Sequence, residues 1–351
     1  MLRFRVPFIL FEQKIIPMCR DNNVFDITYE SKTNVPIEFK ILPSLRLLGR
    51  GNCYDDINEL SSVPCSTVQV YFLKFVERFA LLFYDEFIRC PGEASLKERM
   101  DHYAALGLGG AFGSVDCTRV HWDKCPKWLT NYCIGKEGFP VLAFLLICDH
   151  NRQIVHVSRN AYLGALNDIN IAKIDPFILD LMEGKYLPVE FTLLKEDGTR
   201  AQCYGAYLIS DNGFLQTSIF MDPIKARFGE KEIFWSEWLE SVRKDVECVF
   251  GILKGRFRIL RGRMQQHQAK DIKNIFITCC ILHNMINMYN DAIANPVYEI
   301  DPNISDDIFL AWDPSVHGSW DEYIHKYNID AGTHNHMIKD LVLAENKLMD
   351  M

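Results

Sequence analysis

Three acidic residues that are far apart in the chain stand where an α/β fold could bring their carboxylates together. Asp116 lies inside the apolar segment GSVDCTRVHW, Asp211 ends the apolar run of YGAYLISDNGF, and Glu247 lies in SVRKDVECVFGILKGRFRIL. Carboxylates are rarely buried unpaired, and two of them a few ångströms apart repel each other unless a cation lies between them. Mg2+ prefers oxygen ligands and would remove that repulsion. Asp116 and Asp211 therefore indicate a metal site, with Glu247 as a candidate third ligand.

Each of these residues also has a simpler structural explanation. Asp116 could form a salt bridge with Arg119, and Asp211 could begin a turn, because Asp, Asn and Gly all favour the break after a strand. Glu247 could lie on a solvated helix edge with ion pairs to residues four positions away, each worth about 0.2–0.5 kcal/mol. Helix geometry alone does not separate a metal ligand from such an ion pair.

The elements that would position these carboxylates follow from the hydrophobic pattern. Three apolar, β-rich segments at 111–122, 139–150 and 152–160 predict three consecutive strands. A helix interrupted near Pro176 follows, and then a hairpin that turns at Asp197-Gly198 and whose returning strand ends at Asp211. Long helices are predicted over 231–261 and 270–289. This order predicts an α/β domain, in which ligand sites gather at the carboxyl ends of neighbouring parallel strands.

The flanking regions have a different pattern. Residues 1–109 read as a helical N-terminal region, with a short helix over 55–60 and a second helix opened by Ser66-Thr67, whose hydroxyls suit an N-cap. Two helices joined by a tight turn have the shape of a helix-turn-helix. An ordinary helical hairpin is favoured, and the candidate recognition helix, STVQVYFLKFVERF, is rather apolar for a helix that binds in a DNA groove. We predict a catalytic domain over 110–290 and an acidic extension over 291–351 that ends in an amphipathic helix.

The composition sets the broad class. The 351 residues are 48% hydrophobic and contain no apolar run of the roughly 20 residues that a membrane crossing needs, so we expect an intracellular protein without membrane contact. The twelve cysteines are scattered and form no CxxC pair, which favours a reduced compartment over a disulfide framework.

The net charge of −8 argues against nucleic acid as a partner, but the charge is distributed unevenly. Between Arg243 and Lys273, nine basic residues face three acidic ones, which gives +6 for that stretch. A helix over this stretch would align Lys254 and Arg258 with Glu247. The candidates for contacts with DNA phosphates are Arg243, Lys254, Arg256, Arg258, Arg261 and Arg263.

The chain also resembles a known family. The segments GSVDCTRVHWDKCPKW, NDINI, LISDNGF, SVRKDVECVFGILKGRFRIL and CCILHNMI occur in order between about residues 113 and 286. They are similar to motifs of the PIF/Harbinger group of DDE transposases and their derivatives, the plant-transposon-protein type of endonuclease. The resemblance covers most of residues 40–290. Two motifs depart from the family pattern: DCxHW is stretched to DCTRVHW, and the middle motif, often ADG, is SDNG.

The resemblance implies an RNase H-like fold in which Asp116, Asp211 and Glu247 hold two Mg2+ or Mn2+ ions. The implied reaction is hydrolysis and then strand transfer at transposon ends, by in-line attack on a phosphodiester. Asp168, in NDINI, is a candidate auxiliary ligand, with helix N-capping as its favoured role.

The implied partners are DNA, as transposon ends and target, and a separate Myb-like DNA-binding protein. Nuclear residence and a homodimer in the active complex are further expectations. The alternative function is that of a catalytically silent derivative, which would keep the fold as a nuclear module for protein or DNA interaction.

Overall fold

The computed structural model describes residues 4–25, 35–61, 63–88, 93–185, 189–194, 199–215, 217–225 and 229–293. Among the helices in these ranges, none is long and apolar enough to cross a membrane. All cysteines in the same ranges are free thiols. The predicted turn at Asp197-Gly198 and the predicted terminal amphipathic helix lie outside the described residues.

The N-terminal region is helical, as predicted. A π-helical turn, Phe11–Ile15, joins the first two of its helices, which are α1 (Phe8–Leu10), α2 (Ile16–Asp21), α3 (Glu38–Arg50), α4 (Tyr54–Ser61), α5 (Cys65–Phe87) and α6 (Glu93–Ala105). Buried side chains recur every three or four residues along α5, which is the spacing of a helix face that packs into a core.

Helices α4 and α5 are the two helices of the predicted hairpin or helix-turn-helix. Helix α5 begins at Cys65 after Pro64, and no side chain caps it, so the predicted cap at Ser66-Thr67 is wrong. The candidate recognition segment packs one face into the core through Val68, Phe72 and Phe75. Contact of its other face with DNA stays a prediction.

A mixed sheet forms the centre of the fold. The strands of the structure are β1 (Ala111–His121), β2 (Val141–Cys148), β3 (Ile154–Val157), β4 (Tyr162–Leu163), β5 (Glu190–Leu194), β6 (Arg200–Tyr204), β7 (Tyr207–Ile209) and β8 (Phe220–Met221). The strands of the central sheet lie in the order β3-β2-β1-β7-β8, and the short β4 pairs with β2. Strand β2 runs antiparallel to both β1 and β3, whereas β7 runs parallel to β1 and β8 runs parallel to β7.

The three consecutive strands match the sequence prediction, but the later strands differ from it. Strands β5 and β6 form a separate two-stranded hairpin, so the returning strand does not run unbroken to Asp211. Gly205, with φ of +100°, breaks it between β6 and β7; this backbone conformation is open to glycine and strained for other residues. Strand β8 has only two residues, which is too short for a periodic pattern to show.

Helices cover both faces of the sheet. They are α7 (Thr130–Cys133), α8 (Asp168–Ala172), α9 (Pro176–Met182), α10 (Glu230–Arg256) and α11 (Ala269–Ile293). Side chains of β2 that alternate along the strand enter two different cores. One core contains α5, α10 and α11, and the other contains α6, α8 and α9. This mixed sheet between helical layers, preceded by a helical region, is the predicted RNase H-like α/β class.

Helix α10 is shorter than predicted. It ends at Arg256, because Phe257 leaves the helical conformation with φ of −112° and ψ of 88°. A 3-10 turn, Arg258–Leu260, follows. Val246, Leu253, Phe257 and Leu260 are buried, and Phe250 is half-buried. Arg258, however, does not continue the helical line from Glu247.

Candidate active site

Strand pairing places Asp116 and Asp211 side by side. The parallel register aligns Ser114 of β1 with Ile209 of β7, and each aspartate lies two residues further along its strand direction. Asp211 lies two residues beyond the end of β7, and its carboxylate accepts a 2.8 Å hydrogen bond from the backbone N–H of Gly213. Asp211 therefore has the turn role and the strand-end position together.

Asp116 is in an environment that disfavours its charged form. Burial, with smaller contributions from the negative charges of Asp211 and Asp168, raises the pKa of its carboxyl to about 6. The backbone N–H of Cys117, at 2.7 Å from Oδ1, and the guanidinium of Arg243 act in the opposite direction. Asp116 thus lies where a cation would be stabilised.

Arg243 joins Asp116 to Glu247. Its Nη1 donates to Oδ2 of Asp116 over 3.3 Å, and its Nη2 donates to Oε1 of Glu247 over 2.6 Å. The side chain of Arg243 is 13% exposed and that of Glu247 is 48% exposed. The carboxylates of Asp116 and Glu247 are therefore linked through the guanidinium of Arg243. Among the described residues, no group of three or more His, Cys, Asp or Glu side chains lies close enough to hold a metal ion in this arrangement.

The proposed ion pair between Asp116 and Arg119 does not form. Residues three apart in a strand point to opposite faces of the sheet, and Arg119 instead pairs with Asp168 at 3.0 Å and with Glu137 at 3.4 Å. The N-cap of α8 is Asn167, whose side chain accepts from Asn170 N, so the predicted capping role of Asp168 is wrong. Asp168 is held by Arg119 on the far face from Asp116, which leaves its role as an auxiliary ligand a prediction.

Sequence reasoning missed one further acidic residue beside the site. Asp222 comes directly after β8, and Asp211 comes two residues after the neighbouring β7. Asp222 is only 6% exposed. Burial raises the pKa of Asp222, and the charge of Asp211 contributes in the same direction. An apolar run followed by Asp, as in IFMD, was the available signal, but a strand of two residues is too short to identify.

The six basic residues proposed for phosphate contacts occupy different environments. Arg258, Arg261 and Arg263 are exposed, as such contacts require. Arg256 lies against the interior, where it shares a 3.1 Å hydrogen bond with Nδ1 of His283 and burial lowers its pKa to about 10. Lys254 is half-buried, which lowers the pKa of its ammonium group. Arg243 is engaged by Asp116 and Glu247, as described above.

The carboxylates of the site have the chemistry that a hard divalent cation prefers. Asp116, Asp211 and Glu247 contribute three carboxylates and Arg243 contributes one guanidinium group, whereas Asp168 and Glu137 pair with Arg119 on the far face of the sheet. Carboxylate oxygens are the ligands that Mg2+ and Mn2+ prefer, and the excess of negative charge is what such an ion would neutralise. Arg243 is the side chain that would have to give up its carboxylate partners.

Comparisons with known proteins agree with the family resemblance of the motifs. The family model of the plant transposon protein matches residues 85–293, which is more than half of the chain. A protein of Rattus norvegicus named "Putative nuclease HARBI1" is 22% identical over 222 residues, covering 60% of this chain and 58% of its own length. Its namesake in Xenopus laevis is 26% identical over 204 residues, covering 57% and 53% of the two chains.

A third relative comes from a plant. The "Protein ALP1-like" of Arabidopsis thaliana is 23% identical over 255 residues, covering 70% of this chain and 60% of its own length. The chain thus aligns with a little over half the length of these relatives. No solved structure matches it significantly. The match over residues 85–293 includes Asp116, Asp211 and Glu247, and the chain belongs to the plant transposon protein family, the PIF/Harbinger-type group that its motifs resemble.

Proposed function

We propose that this chain is a metal-dependent DNA endonuclease and strand transferase of the DDE type. The observation that carries the proposal is the strand register, which brings Asp116 and Asp211 next to each other. Arg243 bonds to both Asp116 and Glu247 and so links the third carboxylate to this pair. Asp116, Asp211 and Glu247 would hold two Mg2+ or Mn2+ ions. When bound, such ions activate an attacking water or DNA 3′-hydroxyl and stabilise the leaving oxygen of the phosphodiester.

The chain's own residues would prepare this site in two ways. Asp116 is fixed inside a sheet strand, and the N–H of Gly213 orients Asp211, so neither carboxylate needs to reorganise to bind a cation. Arg243 would release Asp116 and Glu247 and contact a DNA phosphate, where a guanidinium fork fits bidentately. Arg258, Arg261 and Arg263 would add phosphate contacts that position the substrate without reading its sequence.

The proposal extends to partners and location. Transposon ends and target DNA are the proposed substrates, with a separate Myb-like protein for sequence recognition. The negative net charge of the chain suits such a division of labour, because the catalytic chain needs little non-specific affinity of its own. Residence in the nucleus and a homodimer in the active complex follow from the same proposal.

A second function, a catalytically silent interaction module in the nucleus, is favoured by one observation. Arg243 satisfies Asp116 and Glu247 without any metal, so the acidic cluster has a partner of its own. Unpaired buried carboxylates would have argued for an obligatory ion, because uncompensated buried charge destabilises a fold. The ion pairs of Arg243 remove that argument and leave metal binding as the deciding property.

Calorimetric titration with Mn2+ separates the two functions. The nuclease requires the wild-type protein to bind Mn2+ and requires D211N to bind at least tenfold more weakly, since Asn keeps the turn to Gly213 but loses the charge. D180N is the matched control, because Asp180 pairs with Lys185 on an exposed surface away from the site. R243Q should bind Mn2+ more tightly than the wild type, because the competing cation is gone.

A cleavage assay on duplexes that carry the transposon ends, with Mg2+ or Mn2+, tests the chemistry. E247Q should lose at least a hundredfold in rate, while D180N should cut like the wild type. Equal cleavage by E247Q and wild type would refute the site assignment. A wild-type protein that binds no Mn2+ would establish the silent module instead.

A further inference from the structure

The connection between β1 and β2 presents two large aromatic rings to solvent. Trp128 is 75% exposed and Tyr132 is 62% exposed, although such rings usually bury most of their surface. They lie four residues apart in a helical turn, in which Leu129 N bonds to Pro126 O and Cys133 N bonds to Leu129 O. Side chains four residues apart lie on the same side of a helical turn. The two rings therefore share one surface.

This surface is rigidly supported from below. Trp122, which is 1% exposed, donates from Nε1 to Gln266 O over 2.8 Å. Asp123 N bonds to Met264 O, and Ala165 N bonds to the carbonyl of Tyr132. The connection is thus tied both to the segment after α10 and to the segment after β4. Rings that are held on a fixed backbone lose little freedom when a ligand stacks on them.

Positive charge surrounds the two rings. Lys124, Lys127 and Lys136 of the same connection are exposed. Arg263, on the segment after α10, is 72% exposed with its Nη1 at 3.9 Å from Oδ1 of Asp123. Arg261, two residues before it, is also exposed.

The acidic residues of the connection offset only part of this charge. Asp123 lies 4.0 Å from Nζ of Lys124 and 3.9 Å from Nη1 of Arg263, and it accepts a 3.0 Å hydrogen bond from Gln265 Nε2. Glu137 is 19% exposed and pairs with Arg119. Lysines and aromatic rings are therefore the groups that this part of the molecule offers to a partner, and its charge is complementary to a polyanion.

We propose that Trp128 and Tyr132, flanked by Lys124, Lys127 and Arg263, form a stacking surface for unpaired nucleotides of the DNA substrate. Exposed aromatic faces beside cations are the chemistry by which proteins bind single-stranded nucleic acid. The bases of an intact duplex already stack on one another, so only unpaired bases offer a free face to these rings. The nature of the substrate rests on the proposed function, but the binding itself does not require metal.

The stacking surface follows the strand that carries Asp116. His121, the last residue of β1, stacks on the ring of Phe139 with 4.3 Å between ring centroids, and these two residues stand at the start and the end of the connection. Asp116 is five residues before His121, which corresponds to about 16 Å at the rise of an extended chain. The connection that carries the rings therefore begins where the strand of the candidate active site ends.

Fluorescence anisotropy with labelled oligonucleotides in EDTA tests the proposal, because cleavage cannot occur without metal. W128A and Y132A should each bind single-stranded DNA about 5- to 100-fold more weakly than the wild type. Binding to a blunt duplex should change less than twofold. The matched control is Y204A, since Tyr204 on β6 is 60% exposed and lies on the separate hairpin. K127Q should lower the slope of log affinity against log salt by about 0.7, the value for one phosphate contact on a single strand.

Either of two outcomes would overturn the proposal. One is single-strand binding by W128A and Y132A at the wild-type level. This result would show that the rings do not bind nucleotides and would favour a protein partner for this surface. The other is an equal loss for single strand and duplex, which would make the contact electrostatic instead of stacking. Single-strand binding that depends on both rings, in a protein that neither binds Mn2+ nor cleaves DNA, would support the stacking surface while refuting the nuclease. The two proposals can therefore fail separately.

Discussion

Arg243 of helix α10 donates a 3.3 Å hydrogen bond to Asp116 in the middle of strand β1, across 127 positions of sequence. Both side chains are largely shielded from solvent, at 13% and 18% exposure. The same guanidinium holds Glu247, so a single cation links two of the three carboxylates that the family motifs single out. Arg243 therefore offsets part of the negative charge of the site.

Replacing Arg243 should destabilise the metal-free protein. R243Q leaves Asp116 as a shielded carboxylate without its cation, and breaking such a pair costs about 2–4 kcal/mol of the free energy of unfolding. Urea unfolding in EDTA measures this loss. R263Q is the matched control, because Arg263 is 72% exposed and 3.9 Å from Asp123, and it should cost less than about 0.5 kcal/mol. If both variants unfold at the same urea concentration, the contact with Asp116 contributes nothing.

Asp116 should also make stability depend on pH. Burial raises the pKa of Asp116 from 3.8 to about 6, so the folded state binds more protons than the unfolded state between these values. The free energy of unfolding therefore falls as pH rises through this window, and the stability supplied by the protonated carboxyl is complete only below it. Between pH 4 and pH 7 the fall attributable to Asp116 is about 2–3 kcal/mol.

Comparison of D116N with the wild type isolates this contribution. The variant cannot titrate at this position, so its free energy of unfolding should fall less steeply between pH 4 and pH 7. Asp245, whose pKa burial also raises to about 6, contributes in the same window, and D245N serves as a reference of similar size. The double variant should lose the sum of the two slopes. A D116N profile that runs parallel to the wild-type profile would contradict the raised pKa.

The sequence predicted the elements of the site better than the contacts within it. The strand that contains Asp116 reads as an apolar run because it is buried on both faces of the sheet, and the helix that contains Glu247 has a helical pattern because it buries one side against a core. The i,i+4 spacing also raised the ion pair between Arg243 and Glu247 as an alternative to metal binding. The contact of Arg243 with Asp116 is different in kind, because it depends on how α10 packs against the sheet.

Local rules explain the other differences. Arg119 was a plausible partner for Asp116 by proximity in sequence, but strand alternation sends the two side chains to opposite faces of the sheet. The helical line from Glu247 to Arg258 failed because the chain leaves the helix at Phe257, two residues after Gly255. Strand β8, and with it Asp222, was not predicted because two residues are too few to show a hydrophobic period.

The HN pair of the CCILHNMI motif should be structural, and Asn284 tests this. Its side-chain oxygen accepts from Ile154 N over 2.9 Å, and its amide donates to the carbonyls of Ile154 and Phe87 at 2.7 Å each. These bonds fasten α11 to the start of β3 and the end of α5. N284A would leave three buried backbone groups without their partner, which costs about 2–4 kcal/mol.

Urea unfolding at neutral pH measures the effect of N284A, with N290A as the control on the same helix. Asn290 is exposed, so its replacement should change the free energy of unfolding by less than about 0.5 kcal/mol. The Mn2+ affinity of folded N284A should equal that of the wild type, because Asn284 bonds to β3 and α5 and not to the acidic residues of the site. A variant as stable as N290A but impaired in Mn2+ binding would reverse this assignment and make the motif part of the site. The three hydrogen bonds of Asn284 instead give this motif a structural role, which is to hold α11 against β3 and α5.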